Sequence, residues 1–110
     1  MAAEQDHAVL AEELRRRVTE SGVLAGPMRL AVLSAGAGDD ITGRDPYVVL
    51  ARTIGEASYR VTDEMISDVR AATGSDRAAF EVVMSASIGA ALRRWDAALA
   101  AIEEASDAAR

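Results

Sequence analysis

Eleven consecutive residues, Val82 to Leu92, carry no charge, and they lie inside a stretch with helical spacing. Ser75 supplies an N-cap before it, and no breaker stronger than Gly89 follows until about Ala105. Eleven residues make about three helical turns. A helix that is apolar or small on every side is buried on every side. A chain of 110 residues has few helices with which to surround it. Either this helix is the central rod of a bundle, or a second subunit covers one of its faces. Ala79, Phe80, Val83, Ser87, Ala91, Trp95, Leu99 and Ile102 follow helical spacing along it. The small residues Ser85, Ala86, Ser87, Gly89, Ala90 and Ala91 allow neighbouring helices to approach closely.

The rest of the chain is punctuated as helices too. A first helix is expected from about Gln5 to Glu20, with Leu10, Leu14 and Val18 as its apolar stripe and Ser21-Gly22 as its stop. A second begins at Pro27, presents Met28, Leu30, Ala31 and Leu33, and ends at Gly36. The segment Gly36 to Asp45 reads as the one real loop. Asp45-Pro46 starts a third helix lined by Tyr47, Leu50, Ala51 and Ile54, which stops near Ser58. Thr62 caps a fourth, with Asp63 and Glu64 at its positive end, Val61 and Ile66 as a hydrophobic staple and Gly74 as its end. β-Branched and aromatic residues rarely alternate with polar ones, so no strand is expected. The expected fold is all-α: about five helices in a single compact bundle, one domain over 1–110.

Composition removes several functions. Cysteine is absent, which excludes disulfides, thiolate metal sites and cysteine nucleophiles. The net charge is −6, and every cation is an arginine. Such a chain repels phosphate backbones, so no nucleic-acid partner is expected. Arg15, Arg16 and Arg17 do cluster, but Glu12, Glu13 and Glu20 lie within a turn of them, as on a solvated mixed-charge face. No uncharged run approaches the roughly 20 residues of a membrane helix. Glu4 and Asp6 stand where a signal peptide would be basic. No membrane association is expected, and a cytoplasmic location follows by default.

The chemistry-bearing residues are sparse. His7 is the single histidine, has no partner at metal-ligand spacing, and is expected in a fraying first turn. Asp39, Asp40 and Asp45 lack the alternation and late glutamate of a calcium loop and read as turn and cap residues. Gly36-Ala37-Gly38 follows no strand and lacks a phosphate-loop signature, and no GxSxG elbow is present. Glu56, Tyr59, Glu81, Arg93 and Arg94 are the polar residues expected near the core helices, mainly in structural pairs. Arg77 and Glu81, four apart, read as a surface ion pair. Trp95 reads as a core or interface anchor. The candidate ligand-binding set is Tyr59, Glu81 and Arg94, converging on a pocket between helices in which Glu81 would act as acid or base. No catalytic or metal-binding residue is assigned and no cofactor is expected.

From Asp45-Pro46 through Val61-Thr62-Asp63-Glu64 and Gly74-Ser75-Asp76, to Phe80-Glu81-Val82-Val83 and Ala91-Leu92-Arg93-Arg94-Trp95, the order of signals resembles the C-terminal half of the alkylhydroperoxidase D-like / carboxymuconolactone decarboxylase family. The resemblance spans roughly 45–103. It implies an all-α fold around a helical hairpin that assembles into trimers or hexamers. The family's peroxidases use a CxxC pair, a following histidine and an upstream glutamate. This chain has no cysteine and no histidine after His7, so no redox site carries over. The histidine motifs of the decarboxylase branch are absent as well. Arg94 matches the arginine of a family pair in which Arg93 replaces asparagine. The resemblance thus implies a divergent member without thiol chemistry. The function expected is that of an oligomer-forming helical protein, an interaction or accessory subunit. The alternative is a cofactor-independent enzyme or small-molecule binder using Glu81, Tyr59 and Arg94.

Overall fold

The computed structural model describes residues 2–41 and 43–109; Thr42, within the expected loop, lies outside them. The described residues form five α-helices and no strand: α1 (Ala2–Glu20), α2 (Gly26–Gly36), α3 (Pro46–Ala57), α4 (Asp63–Thr73) and α5 (Asp76–Ala108). A single 3-10 turn, Ser58–Arg60, joins α3 to α4 where the sequence predicts only a stop.

Three helix starts rest on side-chain caps that satisfy otherwise orphaned amides. The Val48 N–H donates to the Asp45 carboxylate at 3.0 Å, the Met65 N–H to Thr62 Oγ1 at 3.1 Å and the Ala78 N–H to Ser75 Oγ at 3.1 Å. Gly74 ends α4 at φ +79°, in the left-handed region, with its N–H donating to the Arg70 carbonyl. Val61 and Ile66, the expected staple, both pack against the core.

The core is built by α2, α3, α4 and α5. Val32, Leu50, Val69 and Val82 are its largest fully buried side chains. Glycines set how closely three of these helices approach. A β-carbon on Gly89 of α5 would collide with the Leu33 backbone, and one on Gly36 of α2 with the Ala86 backbone. One on Gly55 of α3 would collide with the Gly36 backbone. Helix α2 is therefore clasped on two sides by bare backbone, and no flexible side chain is available to yield.

Two expected apolar faces point elsewhere. In α2 the buried positions are Arg29, Val32, Ala35 and Gly36, while Leu30 is 51% exposed. Gly36 sits on the inside because its contact with the Ala86 backbone leaves no room for a side chain there. In α1, Leu10 and Leu14 are exposed, and none of its residues from His7 onward is buried. Helix α1 lies on the bundle rather than in it.

Candidate functional site

Glu81 is the candidate residue whose surroundings depart furthest from expectation. It is buried rather than part of a surface pair. Its Oε2 accepts the Val23 N–H at 2.8 Å and its Oε1 the Leu24 N–H at 3.2 Å. Arg77 still lies within reach, with its Nε 3.6 Å from Oε2. On the other side stands Arg29, also buried, with Nη1 3.8 Å from Oε1.

The Arg29 guanidinium caps the C-terminal end of α1. Its Nε donates to the Val18 carbonyl at 2.7 Å and Nη2 to the Thr19 carbonyl at 2.9 Å, while Nη1 donates to the Leu24 carbonyl. The last carbonyls of a helix have no partner within it. Here a residue of α2 supplies their donors, and a carboxylate of α5 balances the charge. The pair clamps the connection between α1 and α2. Among the described residues no buried side-chain polar atom lacks a partner. Arg29 was not singled out by sequence reasoning. Its only signal was a lone arginine among Met28, Leu30 and Ala31.

The other candidates lie apart from Glu81. Tyr59 is 82% exposed on the 3-10 turn, with the Arg60 guanidinium 5.7 Å above its ring. Arg94 is thirteen residues beyond Glu81 on α5, about 20 Å along the axis. Its Nη2 donates to the Gly55 carbonyl at 3.3 Å. The structure does not bring Tyr59, Glu81 and Arg94 into one cavity: Glu81 is buried at the turn after α1, Arg94 reaches the Gly55 carbonyl and Tyr59 is exposed. Glu56 is exposed, and Arg93 lies 3.6 Å from Asp39.

Helix α1 is tied to α5 by two contacts. Arg15 Nη2 donates to Asp96 Oδ2 at 2.7 Å, and the His7 ring meets Trp95 edge-on at 6.0 Å between centroids. Burial opposes the charge on Arg15, but its bonds to Glu12 and Asp96 outweigh that and hold its pKa above the ordinary value. Between α1 and α2 runs a groove of about 870 Å³ lined by residues that include Val9, Arg16, Leu30 and Leu33. None of the three candidate residues lines it.

The largest unsatisfied feature is apolar surface. The molecule measures 54 × 27 × 21 Å, with a radius of gyration of 15.7 Å. A compact domain of this length has about 13 Å. Its accessible surface is 7237 Å², against about 5,800 Å² for a compact monomer of 11.6 kDa, an excess of about 1,400 Å². Phe80 and Ile102 contribute to it at 59% and 62% exposure, with Met84 and Trp95 between them on α5.

Among the described residues no group of histidine, aspartate and glutamate side chains is placed to hold a metal ion, and no helix is long and apolar enough to cross a membrane. Compared with known proteins, the chain matches no family model, no curated protein and no solved structure.

Proposed function

We propose that this chain is an oligomer-forming helical protein that acts through association, as an interaction or accessory subunit, and not through a catalytic centre of its own. One observation carries the reading: the chain exposes about 1,400 Å² more than a compact monomer of its mass. That surplus exceeds the roughly 800 Å² that each partner of a standard protein interface contributes. Part of it is large apolar side chain, which soluble monomers seldom leave exposed along one continuous face. The oligomeric habit of the family that residues 45–103 resemble is a second support. The buried acid–base pair, Arg29 and Glu81, is engaged in holding backbone at the turn after α1.

Native mass spectrometry of the purified chain tests the reading, because it reports subunit number and any retained small molecule together. A clean oligomer without added mass is the expected result. A stable monomer at micromolar concentration refutes the proposal. A retained mass of a few hundred daltons favours the small-molecule binder instead.

A further inference from the structure

Helix α5 has two faces of different extent. The bundle-facing side, with Val82, Ser85, Ala86 and Gly89 at its centre, is buried only as far as Leu92. Beyond it that side turns charged, with Arg93, Asp96, Glu103, Glu104 and Asp107. At 100° per residue these five lie within roughly 60° of the line through Val82. The opposite line carries Phe80, Met84, Ala91, Trp95, Ala98 and Ile102, all within roughly 40° of it. These six are all exposed and none is charged, and Trp95 among them meets a neighbouring helix, through the edge-on His7 ring of α1. The stripe runs from Phe80 to Ile102, about 33 Å. Met84, Ile88, Ala91, Trp95, Ala98, Ile102 and Ala105 within and beside it alternate at spacings of four and three, the repeat that seats one helix against another.

We propose that a second copy of this chain covers the stripe, with the two α5 helices packed antiparallel about a twofold axis at Ala91. This rests on the self-association proposed above and names the surface and orientation. The stripe is complementary to its own reverse. With Ala91 facing its copy, Met84 faces Ala98, Ser87 faces Trp95, and Phe80 faces Ile102. Large residues thus meet small ones through the middle, and two large pairs close the ends. Such alternation lets facing layers interdigitate. Size selects the direction: in a parallel pair in register Phe80, Met84, Trp95 and Ile102 would each meet their own copy, whereas the antiparallel pair sets Met84 and Trp95 against Ala98 and Ser87 and opposes the helix dipoles favourably.

The test uses the intact chain and begins with its subunit number. Ala91 is exposed, so Ala91→Arg leaves the fold of the single chain intact, as circular dichroism would verify. The substitution places two like charges face to face at the axis. The dimer dissociation constant is expected to rise by about 30-fold or more. The absence of cysteine makes cross-linking unambiguous. Mild oxidation of Ala91→Cys is expected to give a covalent dimer, while Ala98→Cys gives none, because Ala98 faces Met84. Equal cross-linking at both positions means parallel helices and overturns the proposal. So does an odd subunit number, since twofold pairing builds even assemblies. An oligomer indifferent to Ala91→Arg and inert to cross-linking overturns the α5 pairing while self-association stands. A stable monomer overturns both and leaves the stripe to a different protein.

Discussion

Oε1 of Glu81 fills the space that a β-carbon on Gly22 would occupy. Gly22 also holds φ at +148°, a conformation open to glycine and disfavoured for other residues. The turn after α1 is therefore shaped around a carboxylate that belongs to α5. Gly22→Ala should destabilise the fold by about 3 kcal/mol, combining backbone strain with displacement of the carboxylate. Urea unfolding measures this, and a loss below about 0.5 kcal/mol would contradict the clamp.

The clamp itself predicts coupling. Glu81→Leu strands the Val23 and Leu24 amides and leaves Arg29 without its counter-charge. Breaking one side of a buried pair costs about 3–5 kcal/mol. Arg29→Met uncaps the α1 carbonyls and should cost a similar amount. The double variant should lose at least about 1 kcal/mol less than the two single losses together, because each single variant leaves the other residue without its buried partner. A double-mutant cycle by chemical denaturation measures it, and strict additivity would mean that the two residues do not interact.

Gly89→Ala sets two effects against each other. Alanine improves helix propensity by about 1 kcal/mol over glycine. The added methyl meets the Leu33 backbone, which cannot rotate away, and overpacking of this kind costs about 1–3 kcal/mol or more. The clash should win, with a net loss of about 2 kcal/mol and a lower melting temperature. Gly55→Ala meets the Gly36 backbone and should behave alike. A stabilised Gly89→Ala variant would show that α2 and α5 stand further apart.

Helix α1 should open before the rest. From His7 onward it buries no residue fully, and it is held to α5 by the Arg15–Asp96 pair and the His7–Trp95 contact. Exposed ion pairs contribute little. Amides of α1 ahead of the end clamped by Arg29 should exchange with deuterium at least about 100-fold faster than those of Val82 to Ala90, which open only with the core. Equal protection of the two segments would place α1 in the same cooperative unit.

The local signals were readable from the chain alone. Asp45, Thr62 and Ser75 cap helices where a short polar acceptor precedes an apolar run, and Gly74 ends one in the left-handed conformation. These depend on neighbours within four residues, so adjacency suffices. Helix α5 was legible as a helix for the same reason. Its inside was not. The stripe through Phe80, Ala91 and Trp95 has helical spacing, yet Val82, Ala86 and Gly89 face the bundle. A helix apolar all round gives periodicity no direction. Glu81 reads as a surface residue in the sequence because Arg77, four residues before it, offers a complete local partner. Its stronger partners, Val23 and Leu24, lie nearly sixty residues away in the chain.

The amino-acid sequence by itself determined that this protein is helical, how many helices it has and where most of them start and stop, since caps, breakers and spacing act over a few residues. The tertiary structure alone decided which side of each helix is interior. It did so through backbone contacts at Gly36, Gly55 and Gly89, where the absence of a side chain matters only once another helix stands there. It likewise decided that Arg29 and Glu81 hold backbone at the turn after α1, because the desolvation of a charge depends on what the whole fold places around it.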